Sequence, residues 1–213
     1  MNSINQGLQN GGVVQLVDLE LGNLNSVVTS LLRSGVKSEI LQNGAMVTSR
    51  VLILPGVGNF TAGSKALDRH DLRSRISDHV LAGGSLIGIC LGMQLLGTFS
   101  EEGAGIGLSL LPFDTKKISN DGTAGGPVMG WKTPALLDEA WLGLSGRERY
   151  YFMHDYGVID TNSDIIKMTH SAGKGTAASS VASGRIIGFQ FHPERSLVFG
   201  QEVLASAVAE LSH

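Results

Sequence analysis

The sequence predicts an α/β protein: a doubly wound, mainly parallel sheet whose C-terminal part turns antiparallel. Short apolar, β-branched runs alternate with amphipathic helical stretches over the first hundred residues, the pattern of βαβ units. Strand-like runs at regular spacing replace them in the second half, as antiparallel hairpins do. The 29 glycines among 213 residues follow no period and are nearly twice the ordinary ~7%. They predict many tight turns and several places where backbone closes on something.

Residues 13–19, VVQLVDL, predict a buried first strand. NLNSVVTSLLRSG follows with helical apolar spacing and a stop at Gly35, with Asn23 or Asn25 at its cap. SEIL is a weak second strand, and RVLILPGVG (50–58) a strong third, cut by Pro55 and Gly56. ALDRHDLRSRISDHVLAGG reads as one amphipathic helix closed by glycines, and SLIGIC as a fourth strand. Residues 106–132 are turn-rich, with SNDGTAGG as a hairpin loop. YYFMHDYGV, IIKMTH, TAASSVAS and RIIGFQFHPE predict antiparallel strands, and LVFGQEVLASAVAELSH a closing helix. No repeat or linker interrupts the pattern. One domain over 13–213 is expected, after a flexible leader, MNSINQGLQNGG, over 1–12.

A net charge of −3 offers no case for nucleic acid or an anionic membrane as the main partner. Apolar runs break well before the ~18 residues a membrane span needs. The leader lacks the basic start and apolar centre of a secretory signal. One cysteine excludes an intramolecular disulfide and makes a cytoplasmic address the default expectation.

That cysteine carries the functional argument. It stands in LIGICLGMQLLG as Gly88-Ile89-Cys90-Leu91-Gly92, between a buried strand and a predicted helix. A nucleophile elbow needs this arrangement: the nucleophile sits on a strained turn, and flanking glycines let neighbouring backbone pass close by. N–H groups at the helix start favour a thiolate and can hold an oxyanion. The plain alternative is a small buried hydrophobe, and Gly-x-Cys-x-Gly alone does not separate the two. A thiolate nucleophile also needs a base. Of the six histidines, His70 and His79 fall on a charged helix face and are expected to be solvated. His213 is the last residue, and His170 follows a strand with no acid beside it. His192 lies in GFQFHPERS, where Pro193 forces an extended exit. Glu194, two residues on, shares its face in a strand-like segment and can orient the ring.

With these segments in view, the chain resembles the class I (triad) glutamine amidotransferases. GICLGMQLL and FQFHPERS are similar to that family's nucleophile and His-Pro-Glu segments. Within the class, DLELGNLNSV, LPGVGNF, MGWK and YYFMHDYGV are most similar to the glutaminase subunits of imidazole glycerol phosphate synthases. The resemblance runs over nearly the whole chain after Gly11 and implies the flavodoxin-like fold of that class. It also implies a free-standing glutaminase docked on a (β/α)₈ cyclase as a heterodimer, sending it ammonia from glutamine. It makes Cys90 the nucleophile, His192 the base and Glu194 the orienting carboxylate. It gives the oxyanion to the Leu91 N–H and, after a peptide flip, to the backbone at Val57 and Gly58. Gly58 and Gln94 match glutamine-holding positions, and His154, Asp155 and Tyr156 border the amino-acid end of the substrate. Leu21, Asn23, Trp131, Tyr151 and Arg195 match positions facing the partner. No cofactor and no metal are implied.

The chain departs from the family at Asp18-Leu19-Glu20, where Asp-Tyr-Gly is usual, and at Val128 and Lys132, which flank MGW in place of His and Asn. Asp155 stands where Ser or Thr is usual. These changes leave the triad intact and leave open a paralogue that supplies ammonia for amidination of a surface-polysaccharide sugar. A further alternative is another cysteine hydrolase of flavodoxin-like fold, but such enzymes place a histidine at or near the position after the cysteine, where Leu91 stands. GAGIG (103–107) follows acidic residues rather than a strand and reads as a turn.

Overall fold

The structure, a computed structural model, describes residues 12–22, 24–42, 44–118, 127–139, 141–160, 163–173 and 175–213. The expected leader (all but Gly12), Asn23 and the hairpin loop at 119–126 lie outside the described residues.

An eight-stranded sheet organises the chain. The chain's first strands are β1 (Val14–Val17), β2 (Ser38–Leu41), β3 (Val51–Gly56) and β4 (Ser85–Cys90). After the short β5 (Lys116–Lys117) come β6 (Val128–Lys132), β7 (Ala135–Leu136), β8 (Tyr150–His154) and β9 (Tyr156–Gly157). The last are β10 (Ile166–Ala172), β11 (Gly175–Ser183) and β12 (Ile186–Phe189). The sheet order is β2-β1-β3-β4-β12-β11-β10-β7. Strands β2, β1, β3, β4 and β12 pair in parallel, and the ladder turns antiparallel from β12 to β11 onward. The sequence placed β12 among antiparallel hairpins. Its other edge instead pairs in parallel with β4, with Ile186 to Phe189 in register with Leu86 to Ile89. Strands β3 and β4 are buried at every residue, as central strands of a covered sheet must be. The edge strand β2 buries only Leu41, which is why its sequence signal is weak.

Helices cover both faces. On one side α1 (Leu24–Arg33) and α5 (Leu197–Leu211) pack Val27, Leu31, Val203, Leu204 and Val208 against the sheet. On the other, α2 (Phe60–Asp68) and α3 (Leu72–Leu81) bring Phe60, Leu67, Leu72 and Ile76. The single helix expected here is thus two, joined by a 3₁₀ turn at Arg69–Asp71. The break falls at Asp71, whose φ of 54° is left-handed and stops a helix without a Gly or Pro to announce it. His79, expected to be solvated, is half-buried and its Nε2 meets the Ser85 carbonyl at 3.1 Å. The expected strand YYFMHDYGV also divides: β8 pairs with β6, and β9, past Asp155, pairs with β5.

Cys90 ends β4 directly opposite Gly56, the end of β3. The PGVG loop and the cysteine therefore emerge side by side at the C-terminal edge of the parallel strands, where open α/β sheets place their ligands.

Candidate active site

Cys90 has φ 54° and ψ −108° and leads directly into α4, a single turn over Leu91–Gln94. A non-glycine residue held there costs ~1–3 kcal/mol and persists only where its surroundings impose it. The flanking glycines do so. A Cβ on Gly92 would lie 1.7 Å from the Leu54 carbonyl oxygen, and one on Gly88 would lie 2.7 Å from the Gly92 carbonyl oxygen. The elbow exists because backbone presses on backbone at both positions. With only one turn, α4 contributes less field than a helix of several turns would. Its first N–H, that of Leu91, still lies beside the thiol by chain connectivity.

His192 comes to Cys90 from the other side of the cleft. β12 stops at Phe189, earlier than expected, and Pro193–Arg195 form a 3₁₀ turn instead of a continued strand. The turn, rather than a shared strand face, brings Glu194 Oε1 to 2.8 Å from His192 Nδ1. The pair is held from behind. His192 N–H donates to the Tyr151 carbonyl (2.9 Å), and Ser196 Oγ accepts from Tyr151 N–H (2.9 Å) while donating to the His192 carbonyl (2.6 Å). Gly200 lets α5 close against this turn, since a Cβ there would sit 1.9 Å from the Pro193 carbonyl oxygen.

Burial opposes a charge on His192, yet the Cys90 sulfur beside it and then Glu194 outweigh burial and carry its pKa up to about 10. Its Nε2 has no aligned hydrogen bond among the described residues. Gln190, fully buried, donates to the Cys90 sulfur at 3.9 Å and accepts from Gln94 Nε2 at 3.3 Å.

Val57, Gly58, Cys90, Gln94, His154, Asp155, Tyr156 and His192 line one cavity. The structure thus brings together every substrate-end residue expected from sequence except Leu91, which it buries just behind Cys90. Gln94 Nε2 donates to the Tyr156 carbonyl at 2.9 Å. His154 Nδ1 lies 2.9 Å from the same carbonyl, and burial pushes its pKa down to about 4. The cavity holds only about 60 Å³, far under the ~300–1,000 Å³ of ordinary small-molecule sites, so a whole amino acid requires it to widen. A larger hollow, about 650 Å³, lies elsewhere, between the β11–β12 turn and the end of α5, and is lined by neither Cys90 nor His192.

The Val57 N–H donates to the Leu21 carbonyl at 3.2 Å. Gly22, with φ 117°, allows the close approach: a Cβ there would meet Val57 Cγ2 at 3.1 Å. In this arrangement the Val57 N–H is engaged away from the thiol.

Sequence reasoning missed Glu102. It lines the same cavity, and its Oε2 accepts from the Phe60 N–H at 2.6 Å, supplementing the Asn59 cap of α2. Burial raises its pKa, the Phe60 bond works against that, and the Asp155 charge adds to the rise. Nothing local marks it, because EEG reads as the approach to a turn. Gln190 is missed although it lies within GFQFHPERS, because nothing local shows that its side chain reaches the Cys90 sulfur.

Among the expected partner-facing residues, Trp131, Tyr151 and Arg195 form one patch. The Trp131 and Tyr151 rings meet edge-on at 6.0 Å, and the Arg195 guanidinium lies 4.6 Å over the Tyr151 ring. Leu21 lies instead at the Val57 loop.

A strained cysteine on a strand-to-turn elbow, a His–carboxylate pair and a polar cavity define a cysteine acyl-transfer site. The comparisons make the class specific. The class-I glutamine amidotransferase signature matches residues 15–210, so the chain belongs to the class I glutamine amidotransferases. It is 33% identical over 200 residues to imidazole glycerol phosphate synthase subunit HisH 2 of Pseudomonas aeruginosa, covering 92% of this chain and 98% of that one. It is 30% identical over 207 residues to subunit HisH of a Synechocystis species, covering 94% and 98%. A crystal structure of a glutamine amidotransferase superposes with a TM-score of 0.72 at 19% identity over 94% of this chain and 99% of that one. PurLQS from Thermotoga maritima gives 0.72 at 17% identity, with the same coverage. Both support the fold.

Proposed function

We propose that this chain is the glutaminase subunit of a two-subunit imidazole glycerol phosphate synthase, acting in the cytoplasm. It hydrolyses glutamine to glutamate and ammonia. The ammonia passes to a (β/α)₈ cyclase partner that forms imidazole glycerol phosphate and AICAR in histidine biosynthesis. The glutaminase step is carried by the placement of Cys90, at a φ of 54°, in one cavity with a His192 tied to Glu194 at 2.8 Å. The similarity to HisH subunits over 92–94% of the chain supports the pathway.

The chemistry follows from the residues. The Cys90 thiolate attacks the side-chain carbonyl carbon of glutamine, and the carbonyl oxygen becomes an oxyanion facing the Leu91 N–H. Protonated His192 gives its proton to the leaving nitrogen, so the C–N bond breaks, ammonia departs and a γ-glutamyl thioester remains. Neutral His192 then takes a proton from water, the hydroxide adds to the thioester carbonyl, and the C–S bond breaks to release glutamate and the thiol. Glu194 holds the ring for both steps and stabilises its charged form. Glu102 and Asp155 receive the substrate's α-ammonium at the other end of the cavity.

A second oxyanion donor requires the Val57 peptide to leave the Leu21 carbonyl and turn toward the thiol. One such donor is typically worth ~3 kcal/mol, or ~10²-fold in rate, so the isolated subunit is nearly idle. The partner docks over Trp131, Tyr151 and Arg195. Tyr151 carries the backbone bonds that seat His192, so docking there bears directly on the base.

The test is ammonia release from glutamine by the subunit alone and mixed with the histidine-pathway cyclase barrel of the same genome. The proposal expects near silence alone and a rise of at least a hundredfold on mixing. No rise with that barrel, while Cys90 still reacts with a glutamine-shaped diazoketone, overturns the histidine-pathway role. That result moves the subunit to a paralogous ammonia acceptor such as a polysaccharide-sugar amidinating enzyme, with Glu20, Val128 and Lys132 marking the changed face.

A further inference from the structure

Behind the His192–Glu194 pair, α1 and α5 leave a second pocket of about 280 Å³ that shares no residue with the Cys90 cavity. Its walls include Ser26, Thr29, Ser30 and Arg33 of α1, Gln201 of α5, and Glu194. Two buried polar atoms on these walls have no hydrogen-bond partner among the described residues: Ser30 Oγ and Glu194 Oε2. Ser30 is 4% exposed and the Glu194 side chain 9%. A buried carboxylate oxygen without a donor is costly. A polar pocket of this size has room for ordered water, which settles where it finds two to four polar partners.

We propose that water held in this pocket joins the Ser30 hydroxyl to Glu194 Oε2, making Ser30 a positioning residue for the triad. The geometry divides the work of the carboxylate. Oε1 takes the His192 Nδ1 proton at 2.8 Å. The water-bridged Oε2 fixes the rotation of the carboxyl plane, and with it the angle at which the imidazole faces Cys90. Ser30 is free for this role because its neighbour Ser34 bonds to the Ser30 carbonyl, not to its hydroxyl. The bland role for Ser30, a small residue that lets α1 lie close to the sheet, explains its burial but not an orphaned hydroxyl on the same pocket as an orphaned carboxylate oxygen. The proposal rests on reading Cys90, His192 and Glu194 as the glutaminase triad.

The test uses Ser30→Ala and Ser30→Thr in the subunit assembled with its synthase partner, with wild type beside them. For Ser30→Ala, kcat for ammonia release is expected to fall about tenfold with KM unchanged, the split that marks a lost orienting contact rather than lost binding. The low-field proton resonance of the His192 Nδ1–H is expected to broaden or move upfield, and melting to stay within a few degrees of wild type. Ser30→Thr, which keeps the hydroxyl, is expected to recover kcat to within about threefold and restore the resonance. Wild-type kcat and resonance in Ser30→Ala overturn the proposal. Equal loss in both variants with lowered melting also overturns it, because that is a packing role. A wild-type subunit whose Cys90 ignores the glutamine-shaped diazoketone overturns the triad reading itself, and the proposal with it.

Discussion

Replacing Gly92 with alanine tests whether the elbow is imposed by backbone contact. The added Cβ would lie 1.7 Å from the Leu54 carbonyl oxygen, and side-chain carbons essentially never come within 3.0 Å of such an atom. The two must therefore separate by at least 3.0 − 1.7 = 1.3 Å. Strands β3 and β4 are paired at six successive positions, and β4 is held on its other edge by β12, so the sheet does not yield. The one-turn helix α4 moves instead, carrying the Leu91 N–H and the Cys90 sulfur with it. A displacement of about 1 Å at a reacting atom costs ~10²-fold. Labelling of Cys90 by the glutamine-shaped diazoketone should fall by at least a hundredfold. Alkylation by iodoacetamide, which needs no oriented substrate, should fall far less. Labelling within threefold of wild type at an unchanged melting temperature would refute the reasoning, because α4 would then not be seated on Leu54.

Three further outcomes are expected. Glu194→Gln keeps a hydrogen-bond acceptor near His192 but removes its charge; the His192 pKa, now about 10, should drop in an NMR titration, and labelling should slow by ~10–100-fold, the worth of a charge-assisted bond. Glu102→Gln should raise KM for glutamine about tenfold or more while leaving kcat within about threefold, as loss of a ground-state contact to the α-ammonium does; steady-state kinetics of the assembled synthase decide it. The buried pair His154 and His170 makes the fold acid-labile: burial holds their pKa values at about 4 and about 3, below the unfolded ~6.5. The folded-state values are depressed, so this stability is fully present above pH ~6.5 and is lost as pH falls toward 4 and then 3, on the order of 3 kcal/mol for His154 alone. His170→Asn keeps a partner for Ser179 Oγ, which His170 Nδ1 now meets at 3.0 Å, and should flatten the acid limb of denaturant-unfolding curves; an unchanged limb contradicts the assignment.

The parts of the fold legible in the sequence are those in which burial is continuous. SLIGIC marks β4 at both ends because every residue in it is buried, and the cysteine between glycines announces the elbow because backbone contact excludes any side chain at those positions. Long-range pairing was not legible. The parallel seat of β12 against β4 joins Ile186–Phe189 to Leu86–Ile89, residues about a hundred positions apart, and no local pattern encodes it. The break between α2 and α3 rests on a left-handed aspartate, and the division of β8 from β9 on Asp155, whose carbonyl accepts from Ile118 while the strands on either side take different partners. At the site, the triad lay within recognisable segments, whereas Gln190, whose side chain reaches Cys90 only through the fold, and Glu102, delivered by the path of a loop, were not found. Glu102 reaches the cavity because the chain after α4 folds back along α2, where Ser64 Oγ binds both the N–H and the carbonyl of Ile106.

In the proposed mechanism Cys90, activated by His192 and Glu194, forms a γ-glutamyl thioester. The most direct measurement is mass spectrometry of the subunit, assembled with its partner and acid-quenched during turnover of glutamine. One γ-glutamyl group is expected on the Cys90 peptide, absent in Cys90→Ala together with all glutamine-dependent ammonia. Ammonia release that survives in Cys90→Ala, or turnover with an unmodified Cys90 peptide in every quench, would contradict it.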